Sequence, residues 1–256
     1  MGTSADLCTA NDSPVVYVLD DEFLVRIDLG SRHEVAYRLG VDGCYRLFGG
    51  RQDHVLLWTQ VPSLVTLNPV DVRPLTSEPV LDAFFLDGDE FLLLRPGGKI
   101  ELRNLVGELL KSWHVDLPLH RIGGMLDDRR LVVSGYDLVT LDCNSGTLTP
   151  IAKGGHDAQA SKTGTVVFMR EEGELWEWSE SGREALLARR SDIPRFARGT
   201  SYTRRPLVSF DERWIVWWWE GPARTPHTEI CDRESGKHSE LQYSVSGGWI
   251  TTSPQT

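Results

Sequence analysis

The amino-acid sequence predicts an all-β fold made of one unit repeated along the chain. Three observations predict it. Apolar residues rarely recur at i, i+3, i+4 and i+7 over three turns, so amphipathic helix is nearly absent. Short runs rich in Val, Leu, Ile and aromatic residues recur instead, bounded by Gly, Asp, Asn, Ser and Pro. Stacked on one another, these runs return at a period of about 40 residues.

The runs are "VVYV" from Val15, "VLLW" from Val55, "FLLL" from Phe91, "LVVS" from Leu131, "VVFM" from Val166 and "IVWW" from Ile215. Their starts lie 40, 36, 40, 35 and 49 residues apart. A polar turn precedes each: "NDSP", "RQDH", "DGDE", "DDRR", "KTGT" and "DERW". A second strand follows each after a short turn: "LVRID", "LVTLN", "KIELR", "DLVTLD", "ELWEWS" and "TEICD". A further tight turn leads to a third strand.

That last turn is clearest in "LVTLDCNSGTLTPI" and "EICDRESGKHSEL", where Asp142 and Asp232 are followed by Ser145-Gly146 and Ser235-Gly236. The carboxylate accepts hydrogen bonds from the turn backbone, and Gly takes the φ > 0 position that closes the hairpin. Aligning the copies puts Asp28, Asn68, Arg103 and Ser179 in the same slot. The residue before it is Ile27, Leu67, Leu102, Leu141, Trp178 or Cys231, apolar throughout, as an inward-facing strand position requires.

A unit of this length with three or four strands is one propeller blade. The prediction is a single β-propeller domain over residues 1–256, with six blades of about 40 residues. The quoted hairpins resemble those of the β-propeller superfamily, of the WD40-like and quinoprotein-like sort, whose blades carry apolar-x-apolar-Asp-x-x-(Ser/Thr)-Gly. The resemblance covers nearly the whole chain and implies architecture only. The Gly-His and Trp-Asp dipeptides of WD40 blades are missing, and the quinoprotein signature is incomplete in four of the six copies. A β-sandwich or two small β-domains is the competing fold. The remaining "YSVSGGWITTSPQT" is expected to add a strand that closes onto the first blade, or to form the stub of a seventh blade shared between the termini.

The tryptophans of "ERWIVWWWEG" fall on the strand shared with "VVYV" and "FLLL". Alternation puts Ile215, Trp217 and Trp219 on one face and Trp214, Val216 and Trp218 on the other. Neighbouring blades cover both faces of a blade, so the cluster is expected to be inter-blade packing. Trp219, nearest the following turn, is the candidate for a binding rim.

Thirty-seven acidic against 27 basic side chains leave a net charge of -10. This disfavours nucleic acid and steers basic proteins inward. The exception lies in the longest interval between copies, "RRSDIPRFARGTSYTRR". There Arg189, Arg190, Arg195, Arg198, Arg204 and Arg205 are offset only by Asp192, and Phe196 and Tyr202 stand among them as stacking groups. Arginine clusters recognise carboxylate or phosphate bidentately, or pair with the protein's own acids. A Pro-rich tip, "EGPARTPHTE", adds His227 as a second candidate contact.

No run approaches the ~20 apolar residues of a membrane helix, and the N-terminal residues have neither the basic nor the apolar region of a secretory signal. Cys8, Cys44, Cys143 and Cys231 lie far apart without a C-x-x-C pair, as in the reduced thiols of a cytoplasmic protein, with paired bridges across the fold as the alternative. The acidic doublets recur at turns and do not fit a calcium loop. Neither G-x-S-x-G, a P-loop, H-E-x-x-H nor G-x-G-x-x-G occurs, so no catalytic, metal or cofactor residue is assigned. The expected role is a non-catalytic interaction module, a cytosolic inhibitor or immunity-type protein masking a basic partner such as a toxin. The alternative is a propeller-type hydrolase or lyase with a site at the central channel, for which His114, His120 and the His156-Asp157 pair are the candidates. A carbohydrate-binding propeller ranks last, because the tryptophans do not recur at one slot in each blade.

Overall fold

The computed structural model describes residues 6–9, 15–20, 23–28, 33–41, 46–51, 53–59, 61–86, 89–161, 163–170, 174–188, 206–209, 212–220, 226–243 and 250–251. Every regular element among them is a β-strand. The first sheet holds β1 (Asp6–Thr9), β2 (Val15–Asp20), β3 (Phe23–Asp28) and β4 (Glu34–Arg38). The second holds β5 (Arg46–Arg51), β6 (His54–Trp58), β7 (Pro62–Leu67) and β8 (Val70–Pro74). The third holds β9 (Asp82–Phe85), β10 (Glu90–Arg95), β11 (Lys99–Asn104) and β12 (Leu109–His114). The fourth holds β13 (Arg121–Met125), β14 (Arg130–Ser134), β15 (Leu138–Asp142) and β16 (Leu148–Ala152). The fifth holds β17 (His156–Ala160), β18 (Thr165–Arg170), β19 (Glu174–Ser179) and β20 (Glu184–Ala188). The sixth holds β21 (Leu207–Val208), β22 (Trp214–Glu220), β23 (Pro226–Asp232), β24 (His238–Tyr243) and β25 (Ile250–Thr251). Each is an up-and-down meander in chain order. These are the six blades of a β-propeller.

The apolar runs are the second strands, β2, β6, β10, β14, β18 and β22. Their burial is nearly continuous: Val55 to Leu57, Phe91 to Leu94, Leu131 to Val133 and Val166 to Met169 are all buried. A strand covered on both faces has no polar side to alternate with. The fourth strands show the opposite: β4 alternates, and β12 is exposed at five of its six positions, with Trp113 half-buried.

By contacts the chain divides into two compact units, residues 1–124 with 143–146, and residues 125–142 with 147–256. In the first, consecutive sheets share cores. Cys8, Tyr17 and Leu24 of the first sheet pack with Leu47, Val55 and Val65 of the second. Phe48, Leu56 and Leu64 of the second pack with Phe85, Phe91 and Leu93 of the third. In the second unit, Val132 and Leu138 pack with Ala158, Val166 and Phe168, and Val167, Met169 and Leu175 pack with Ile215, Trp217 and Cys231. Each fully buried Leu, Val or Phe in such a cluster contributes about 1.5–3 kcal/mol.

The sequence pattern did not show the first strand of each sheet. These strands are short and carry small or polar residues, as in "RLFGGR", "RIGGM" and "HDAQA". Close approach explains two of the glycines: a Cβ at Gly50 would run into the buried Tyr17 ring, and one at Gly124 would lie 2.7 Å from Phe84. The polar residues tie one sheet to the next. Asp82 Oδ2 accepts the Ile122 N–H at 2.8 Å, and Gln159 Oε1 accepts the Val208 N–H at 3.1 Å. Such buried donors would cost free energy if left unmet.

Three sequence expectations change. In the third copy the turn slot belongs to Asn104 rather than Arg103. Asn104 pairs with Glu90, just as Asp142 pairs with Arg130 and Ser179 with Thr165, and its Oδ1 accepts the Glu108 N–H at 2.9 Å. The residues before the slot that the repeat alignment gives are not uniformly inward: Leu67, Leu141 and Cys231 are buried, but Ile27, Leu102 and Trp178 are half-buried. The C-terminal strand β25 pairs with β24 at the outer edge of the sixth sheet, and the first sheet is completed by its own β1 to β4.

Candidate interaction surface

The Asp-x-x-Ser-Gly turn of the sixth sheet behaves as its residues dictate. Asp232 Oδ1 accepts the Glu234 N–H at 3.1 Å, Oδ2 accepts the Ser235 hydroxyl at 2.9 Å, and Gly236 sits at φ +65°. Arg213, just before β22, reaches the same carboxylate at 3.1 Å. The guanidinium outweighs the cost of burial and holds the Asp232 carboxyl at about 2. The fourth sheet repeats the device: Arg129, just before β14, lies 2.6 Å from Asp142, and Gly146 sits at φ +75°.

Ionic links join these turns to the neighbouring sheet. Glu212, at φ +59°, accepts the Thr163 N–H at 2.9 Å and the Thr163 hydroxyl at 2.6 Å. Arg233 donates to the Glu212 carbonyl at 2.9 Å and pairs with Glu177 of β19. Arg130 likewise joins Glu180, which follows β19. Its other partner, Asp127, has its pKa pushed up by burial and pulled further down by Arg130 and the N–H groups of Arg129 and Arg130.

Within this frame lies a cleft of about 500 Å³ between β19–β20 and the turns of the sixth sheet. Leu186, Leu187 and Cys231 form its apolar part, and Glu177, Glu212, Glu234, Arg213, Arg233 and His238 its polar part. Sequence reasoning missed it. The only local signal was the Asp232-to-Gly236 turn, because the other lining residues are distributed over β19, β20, the turn before β22, β23 and β24.

The arginine segment, Arg189, Arg190, Arg195, Phe196, Arg198, Tyr202, Arg204 and Arg205, lies outside the described residues, between β20 and β21. Trp219 and His227 are brought opposite one another in the β22–β23 ladder; their side chains also lie outside the described residues. Of the tryptophan run, Trp217 is buried, at 1% exposure, in the core shared with the fifth sheet. Trp214 is 37% exposed with the Arg213 guanidinium 4.9 Å from its ring centre, so this end of the strand is a cation–π surface rather than packing.

His114 and His120 are exposed, at the end of β12 and in the connection that follows. His156 Nδ1 lies 2.9 Å from Asp157 Oδ2, on a bulge where β17 carries an extra residue against β18, with Asp157 at φ +47°. Among the described residues no three His, Cys, Asp or Glu side chains gather as a metal site would need. Cys8, Cys143 and Cys231 are thiols rather than disulfides. No helix among the described residues is long and apolar enough to cross a membrane. No protein-family model matches the chain, and no curated protein does.

Proposed function

We propose that this β-propeller is a non-catalytic interaction module that binds and masks a basic protein, as a cytoplasmic inhibitor or immunity-type protein masks a toxin. One observation carries the reading. Among the described residues, Arg95, Arg103, Arg129, Arg130, Arg170, Arg213 and Arg233 already spend their charge on internal carboxylates. The chain carries 37 acidic against 27 basic side chains, and among the described residues Glu34, Asp53, Asp71, Asp116 and Asp128 stand exposed at the surface as carboxylates. Such a surface accelerates association with a basic partner. The arginine segment, with Phe196 and Tyr202, and the Trp219–His227 end of the β22–β23 hairpin supply the specific contacts.

The test is capture of a partner on the immobilised protein, followed by association kinetics over a salt series. A basic partner whose association rate falls steeply with salt, and whose activity is lost on binding, is the expected result. An acidic partner, or a rate indifferent to salt, overturns it. The competing reading, a propeller-type enzyme, has the His156–Asp157 pair in its favour, since a carboxylate on Nδ1 orients the other ring nitrogen for proton transfer. A hydrolytic activity abolished by His156→Ala would decide for it.

A further inference from the structure

We propose that the cleft between β19–β20 and the sixth-sheet turns receives a lysine or arginine side chain of the partner. The inference rests on the reading that the partner is basic, and adds where and how it is gripped. The cleft brings three carboxylates against two guanidiniums. Most of that charge is already matched: Glu177 holds Arg233, Arg213 holds Asp232, and Glu212 accepts two hydrogen bonds from Thr163. Glu234 is different. Its side chain is 72% exposed, and its ion-pair partner among the described residues, Arg213 Nε, stands 3.6 Å away, beyond hydrogen-bond reach. An acceptor with unused lone pairs therefore stands at the mouth of a cleft whose net charge is negative.

The apolar wall suits the same ligand. Leu186 is 41% exposed, although it adjoins Leu187, which packs on the core of the fifth and sixth sheets. A basic side chain lays its methylene stem on such a surface while its charge reaches the carboxylate. A volume of about 500 Å³ exceeds one side chain and leaves room for the residues flanking it. An acidic ligand would meet Glu234 first and be repelled.

The test is amide NMR on the intact protein, titrated with Ac-Ala-Arg-Ala-NH2, Ac-Ala-Lys-Ala-NH2 and, as a control, Ac-Ala-Glu-Ala-NH2. Saturable shifts at Leu186, Glu234 and Gly236 are expected with the two basic peptides only. Glu234→Gln is expected to weaken them about two- to fivefold, as for loss of an exposed ion pair. Absence of shifts, equal shifts with the acidic peptide, or indifference to Glu234→Gln overturns the proposal. So do shifts at these amides that follow protein concentration alone, which would assign the cleft to a second copy of the chain. The two readings fail separately. A basic partner that binds Glu234→Gln and Leu186→Asp as tightly as the wild type removes the cleft but keeps the masking role. Peptide binding in the cleft with an acidic partner, or none, does the reverse.

Discussion

Arg213 and Asp232 clamp the two turns at one end of the sixth sheet, with Nη2 3.1 Å and Nε 3.3 Å from the two carboxylate oxygens. The same carboxylate holds the Ser235 hydroxyl and the Glu234 N–H, so one ionised group organises both turns. Its folded pKa of about 2 lies below the ordinary value of 3.8. The unfolded chain therefore takes up this proton first as pH falls. The clamp's contribution is complete above about pH 5 and is lost progressively between about pH 4 and pH 2. Asp232→Asn should lower the melting temperature at neutral pH and close the gap to wild type in that acid window. A gap that stays constant from neutral pH to pH 2 would refute the linkage.

Trp217 and Trp214 should separate by a large margin. Trp217 is buried between the fifth and sixth sheets, so Trp217→Ala opens a cavity and should cost about 3–5 kcal/mol in urea unfolding. Trp214 loses only partial burial and its contact with Arg213, so Trp214→Ala should cost about 0.5–1 kcal/mol. Equal costs would mean that alternation does not govern this strand.

The contrast between those two residues marks how far the sequence could be read. The second strands were legible because burial on both faces demands continuous apolar runs such as "FLLL" and "VVFM", and the third strands because each follows such a run after a short turn. The first strands were not, because Gly50 and Gly124 are chosen for the absence of a side chain under Tyr17 and Phe84, and Asp82 and Gln159 for reaching a backbone N–H of the next sheet. Hydropathy is blind to both. The slot shift from Arg103 to Asn104 has the same origin: the residue is fixed by its partner Glu90 across the ladder, which composition does not reveal. The cleft was hidden more deeply, since Glu177 and Arg233 meet across 56 residues of chain. Only the Asp232 turn has a local signature.

Gly50 tests the close approach directly. Tyr17 is fully buried, so its ring has nowhere to go when a methyl group enters. Gly50→Ala should cost about 1–3 kcal/mol as an overpacking change, despite the better conformational entropy of Ala in a strand. The double variant Gly50→Ala, Tyr17→Leu should recover part of the loss. No recovery, measured as the coupling in a double-mutant cycle, would show that the two side chains do not compete for space.

Glu101 is a buried acid that meets three cations. On β11 it lies two residues from both Lys99 and Arg103, which places all three on one face. Its carboxylate lies 2.7 Å from Lys99, 2.8 Å from Arg95 and 2.9 Å from Arg103. Burial acts to raise its pKa, but the bonds from Lys99, Arg95 and Arg103 outweigh it and hold the carboxyl below its ordinary value. Arg95 is itself buried, so Glu101→Ala leaves a guanidinium with only the exposed Glu78 as its counter-ion. The expected cost is about 3–5 kcal/mol, because the uncompensated charge, rather than the lost attraction, sets it. Replacing both, Arg95→Met with Glu101→Leu, should be much less costly than the single change, because an apolar pair of similar volume carries no desolvation penalty. Urea midpoints of the three proteins decide it: a double variant less stable than Glu101→Ala would show that the ion network is worth more than the burial it requires.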